Sequence, residues 1–99
     1  MKRTPAEFRS SLSLSQPPAP LSDYEKALWW AGKGDWEKAH GIVQEMNDRP
    51  SSLIHAFLHR KEGDISNAQY WYAKAGSTMP RISLDQEWEN LVADFLSRE

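Results

Sequence analysis

Apolar residues recur at three- and four-residue intervals along most of this chain, and nowhere do they alternate as a half-buried strand would. Tyr24, Ala27, Leu28 and Ala31 form a first stripe, and Trp36, Ala39, Val43 and Met46 a second. Ile65, Ala68, Tyr72 and Ala75 form a later one, and Leu84, Trp88, Leu91, Val92 and Phe95 the last. The punctuation between stripes is helical. Ser22 and Glu25 have capping-box spacing, as do Ser83 and Gln86, while Asp35 and Asp64 stand where a side-chain oxygen caps the first turn. Gly32, Gly34, Gly63 and Gly76 follow the stripes, where a left-handed residue ends a helix. Asn47 to Pro50 reads as a break, with Ser51 or Ser52 opening a third helix that runs to Gly63. The pattern predicts an all-α protein with five helices.

Residues 1–21 fall outside this pattern. They hold Pro5, Pro17, Pro18 and Pro20, and Leu12 and Leu14 alternate with serines. Proline removes a backbone donor and holds its neighbours extended, so the segment reads as a flexible Pro/Ser-rich arm. Residues 22–99 then form the helical domain: a hairpin over 22–47, a second over 51–76, and a capping helix over 83–98.

Composition narrows the chemistry. With 99 residues and 39% hydrophobic content the chain supports one small core, for which five tryptophans supply bulk. There is no cysteine, which removes disulfides, thiolate metal sites and cysteine nucleophiles. A net charge of −2 offers no basic footprint for nucleic acid. The charge is uneven: Lys2, Arg3 and Arg9 outweigh Glu7 in the arm, while Asp85, Glu87, Glu89, Asp94 and Glu99 face Arg98 alone near the other end. The longest apolar run, Ala27 to Ala31, is far too short for a membrane span, and no apolar stretch follows Lys2 and Arg3 as a signal peptide requires. The expectation is a soluble cytoplasmic protein with neither a membrane nor a nucleic-acid partner.

The two hairpins repeat. Ala27, Gly34, Asp35 and Ala39 recur 29 residues later as Ala56, Gly63, Asp64 and Ala68, where close-packed helices need small residues and the turn needs glycine and a cap. A small residue, then Gly-Asp and an apolar residue, then alanine, then a large residue four further on resembles the tetratricopeptide pattern. Ala27, Gly34-Asp35-Trp36, Ala39 and Val43 carry it once. Ala56, Gly63-Asp64-Ile65, Ala68, Tyr72, Ala75 and Pro80 carry it again, over residues 23–80 in all. The period is shorter than that family's usual 34 residues. The helix-A tryptophan and leucine positions hold Asp23 and Lys26, then Ser52 and His55. The segment from His55 to Asp64, with Asn67 to Tyr72, resembles a group of small bacterial tetratricopeptide-like proteins. The resemblance implies two stacked antiparallel helical hairpins with a C-terminal capping helix, and a bacterial origin. It implies no activity.

Two groups of side chains are candidates for function. His55 and His59 lie four apart on one face of the third helix, the spacing at which two imidazoles can hold one ion. Glu62 is within reach as a third ligand, and His40 stands on another helix. With no His-Glu-x-x-His pattern, the favoured reading is a polar inter-helix cluster of His55, His59 and Asn67, with metal or small-ligand binding as the alternative. Neither a catalytic residue nor a cofactor follows from the pattern, and the protein is expected not to be an enzyme.

The second group is apolar. Trp29 lies off the first stripe, on the side a preceding hairpin would cover in a longer array. Leu12 and Leu14 of the arm, a partner protein or a second copy is therefore expected to cover it, and a partner or second copy is favoured because the proline-serine arm buries little. Leu28, Trp29 and Trp30, with Tyr70 and Trp71, are the candidate partner-binding residues. Gly41, mid-helix and opposite Tyr70 in the repeat, hints at close approach by another group. The sequence reading is a non-catalytic module that binds a peptide, a partner helix or a second copy of itself as a homodimer.

Overall fold

A computed structural model of the chain describes residues 3–98. Lys2 and Glu99, counted above in the charge of the two ends, lie outside the described residues. Among those, six α-helices and one short 3-10 turn make up the regular structure, with no strand. The helices are α1 (Pro5–Ser10), α2 (Asp23–Gly32), α3 (Trp36–Val43), α4 (Arg49–Lys61), α5 (Ile65–Lys74) and α6 (Leu84–Ser97), with the 3-10 turn at Ser11–Ser13. The all-helical expectation holds.

The caps account for most boundaries. Ser22 Oγ accepts from the Glu25 amide while the Glu25 carboxylate accepts from the Ser22 amide, completing the box that opens α2. Asp35 and Asp64 accept from the amides three residues on and start α3 and α5. Ser83 makes only its half of a box, because the Gln86 side chain turns to Asn90 instead. Two boundaries differ from expectation: α3 ends at Val43, short of Met46, and the start of α4 moves. α4 is capped by Asp48 rather than Ser51 or Ser52, and Pro50, read above as a break, sits inside its first turn. An amide there has no intrahelical acceptor, so proline costs nothing and its fixed φ helps.

α2 packs on α3, and α4 on α5. α6 lies against α2 and α4 and closes the main core, which gathers Leu28, Trp29, Ile54, Phe57, Leu58, Trp88, Val92 and Phe95. The Trp88 indole N–H donates to the Leu28 carbonyl at 2.8 Å, satisfying a polar atom that burial would otherwise strand. A smaller cluster of Ala56, Ala68 and Tyr72 seals α4 against α5. Glu87 of α6, 5% exposed, accepts from Arg60 Nη1 at 2.7 Å and from the Tyr72 hydroxyl, tying three helices together. Burial first, then the bond to Glu87, holds the Tyr72 phenol well above its usual pKa.

The arm is the principal correction. Residues 5–10 are helical, capped by Thr4 and Glu7 in a capping box with Pro5 in the first turn. Phe8 is fully buried against Trp88, their rings 5.9 Å apart. Arg9 reaches Asp85 and Glu89 of α6 at 3.0 and 2.9 Å, and Lys33 donates to the Leu12 and Leu14 carbonyls at 2.8 Å. Gly32 does more than end α2: a Cβ there would lie 2.8 Å from Trp88 and 2.9 Å from Leu12, so its absence is what admits both side chains. The domain therefore includes residues assigned above to a flexible arm.

Candidate functional site

The partner surface centred on Trp29 does not exist as predicted. Leu28 and Trp29 are both 0% exposed, and the Trp29 indole N–H donates to Ser11 Oγ at 3.0 Å. The arm supplies the cover that an outside molecule was expected to provide. Trp30 is partly buried, with Lys38 Nζ 4.1 Å above its ring. Gly41 has open space where its Cβ would stand, so nothing approaches it closely. Of the candidate apolar group, Tyr70 alone is strongly exposed, at 59%, and Trp71 is turned inward.

The inward ring of Trp71 leads to the histidines. His55 and His59 occupy successive turns of α4, as their spacing requires, with rings 4.9 Å apart. His40 arrives from α3, carried there because α3 packs on α4 as well as on α2. Its Nε2 lies 3.0 Å from His55 Nε2. One ligand nitrogen from each of the three rings falls within 4.8 Å of the others. Two tryptophans line the group: Trp36 stacks on His40 at 4.6 Å, and Trp71 stacks on His55 at 3.8 Å. The Trp36 indole N–H is bound to the Leu58 carbonyl at 2.7 Å, which fixes the ring it presents to His40.

Beyond the rings stand two polar groups. Glu62 Oε2 is 2.7 Å from His59 Nδ1, and Asn67 Nδ2 is 3.4 Å from His59 Nε2. His59, Glu62 and Asp64 also place ligand atoms within 4.8 Å of one another, at the exposed end of the site. The sequence-predicted cluster of His55, His59 and Asn67 is thus brought together, with His40 and Trp36 added from α3. Trp36 and His40 are i and i+4 on one helix, a spacing that marks a shared face but not the partner that face meets.

Electrostatics favour the neutral form of His40 and His55. Burial, then the neighbouring His40, His59 and Lys74 charges, lower the His55 pKa from 6.5 to about 4. Burial and His59 likewise lower that of His40, against a smaller opposing pull from Glu62. Imidazole binds metal only through an unprotonated nitrogen, so depressed pKa values leave the lone pairs available at neutral pH. The His40–His55 separation also suits a metal. Two nitrogens about 2.0–2.1 Å from a tetrahedral zinc stand about 3.3 Å apart, a few tenths of an ångström beyond the observed contact. Neutral nitrogen donors without sulfur favour zinc, copper(II), nickel or cobalt over calcium and magnesium.

No helix among the described residues is long and apolar enough to cross a membrane. No known protein family, curated protein or solved structure matches this chain.

Proposed function

We propose that this chain is a small, non-catalytic helical protein that binds one divalent first-row transition-metal ion through His40, His55 and His59. The observation that carries the reading is the convergence of His40 from α3 with the two histidines of α4, their ligand nitrogens within 4.8 Å. Three imidazoles leave a fourth position for water or for a ligand from elsewhere. The ion bridges helices from two different helix pairs, so binding should stabilise the fold. We also take α2–α3 and α4–α5 as two stacked tetratricopeptide-like hairpins with α6 as their cap. The recurrence of Gly34-Asp35 as Gly63-Asp64, both glycines at positive φ, supports this arrangement.

Calorimetric titration of metal-free protein with zinc and with nickel tests the reading. One ion per chain is expected at micromolar protein. His40→Ala and His55→Ala should each weaken binding by more than the roughly 10- to 100-fold typical of changes outside the ligand shell. No heat from either metal would remove the proposal.

A second reading keeps the protein-interaction module, and Tyr70 favours it. It stands 59% exposed on α5, the helix that also leaves Ile65 44% exposed. Sedimentation of the wild type and of Tyr70→Glu separates the self-association form of this reading: a mass above the monomer that the substitution abolishes would support it. A monomer in both removes the homodimer.

A further inference from the structure

We infer that Glu62 is the positioning residue of this centre: it fixes His59 as the tautomer protonated on Nδ1 and thereby leaves on Nε2 the lone pair that a metal would take over from the Asn67 amide. The inference rests on the metal-binding reading above. A carboxylate can only accept a hydrogen bond, so the 2.7 Å contact between Glu62 Oε2 and His59 Nδ1 places the proton on Nδ1. The ring's other nitrogen then carries a lone pair. What faces that nitrogen agrees, because the Asn67 side-chain amide approaches Nε2 through its Nδ2 donor, at 3.4 Å. Two contacts on opposite edges of one ring thus specify the same proton.

The consequence reaches the other histidines. His40 and His55 turn their Nε2 atoms toward each other at 3.0 Å, a hydrogen bond in which one of the two carries the proton. That ring must move its proton to Nδ1 before both can bind, whereas His59 already holds its proton on Nδ1. Among the described residues, His59 is the one of the three whose outer nitrogen meets a carboxylate. That arrangement fixes the tautomer and holds the ring in orientation, the role an outer-shell carboxylate plays for a histidine ligand. Glu62 suits the task by position. It is the residue that ends α4, three after His59, with its side chain 39% exposed while that of His59 is 9% exposed. The carboxylate stands at the edge of the site, and removing it leaves the buried packing intact.

The test is a zinc titration, by competition with a chromophoric chelator, of the wild type, Glu62→Gln and Glu62→Ala. It is paired with nitrogen–proton NMR correlation of the histidine rings in the metal-free proteins, and thermal melts establish that each variant is folded. The expected wild-type signature is a His59 ring protonated on Nδ1. Glu62→Ala should weaken zinc binding by about 10- to 100-fold and mix the two tautomers. Glu62→Gln, whose side-chain oxygen still accepts, should fall between the two. Equal losses for Gln and Ala would reduce Glu62 to a charge at the rim and overturn the positioning role. A wild-type His59 protonated on Nε2, or zinc affinities unchanged in both variants, would overturn it too. A wild type that binds no zinc defeats the metal reading itself, and the ring spectra then still decide whether Glu62 sets the tautomer.

Discussion

Phe8→Ala isolates how firmly the N-terminal helix is held. The ring is fully buried and contributes to the same core as Trp29 and Trp88. Phenylalanine truncations in cores cost about 3–5 kcal/mol, but here the loss has a ceiling. α1 is a terminal element, and once its docking free energy is spent it detaches while α2–α6 remain. The docking terms set that ceiling. Burial of the ring is worth about 1.5–3 kcal/mol, the Ser11–Trp29 hydrogen bond about 0.5–1.5, and the exposed Arg9 pairs with Asp85 and Glu89 about 0–1 in total. A loss near 3 kcal/mol is therefore expected, and at about 4–8 °C per kcal/mol in a domain of this size the melting midpoint should fall by at least 12 °C. Thermal melting followed by circular dichroism measures the midpoint. Tryptophan emission, shifting to longer wavelength as Trp29 is uncovered, reports the detachment. A midpoint within about 3 °C of the wild type, with emission unchanged, would mean that residues 5–13 contribute little and that the packing argument is wrong.

The remaining predictions concern the site and α3. Because the His55 pKa is lowered from 6.5 to about 4, the unfolded chain takes up its proton first as pH falls, so stability should decline between pH 6.5 and 4 and level off below. In metal-free buffer this amounts to about 3 kcal/mol between pH 7 and 4, and urea titrations of the wild type and His55→Gln should diverge over that interval; parallel curves would refute it. Gly41→Ala, with open space at its Cβ, should raise stability by up to about 1 kcal/mol, measured by urea denaturation. Copper(II) or nickel should quench part of the tryptophan emission, since Trp36 and Trp71 stack on two proposed ligands. His55→Ala should abolish that quenching at equal metal concentration.

The parts of the fold that were legible in sequence are those whose signals are local. Ser22 with Glu25, and Asp35 and Asp64 before apolar stripes, mark helix starts that the structure keeps, because a cap is satisfied within four residues of itself. Thr4, Pro5 and Glu7 are the same signal, yet α1 is not legible in the pattern: six residues are too few for a periodic stripe, and the prolines at 17, 18 and 20 dominate the segment's composition. Pro50 misled for a related reason, since only its position relative to Asp48 separates a helix start from a helix break. At the candidate site, the facing of His55 and His59 follows from helical spacing. The arrival of His40 depends on how α3 crosses α4, which no single-helix pattern encodes. Trp29 shows the converse case, because its indole N–H binds Ser11, in a segment whose prolines and serines read as burying little.

The contact between α1 and α6 has a consequence for the order in which this chain acquires its structure. Phe8 meets Trp88 and Arg9 meets Asp85 and Glu89, partners on opposite ends of the chain. On a ribosome, α1 is translated before any of the groups that anchor it exist, and six residues are too few to hold a helix in water unaided. α2 to α5 emerge next and are free to pair with their sequence neighbours while Trp29 stays uncovered. Only when residues 85–89 leave the exit tunnel does the earliest segment acquire its partners. Of these six helices the one translated first is thus the last to settle, and a nascent chain stalled anywhere before α6 leaves Trp29 uncovered.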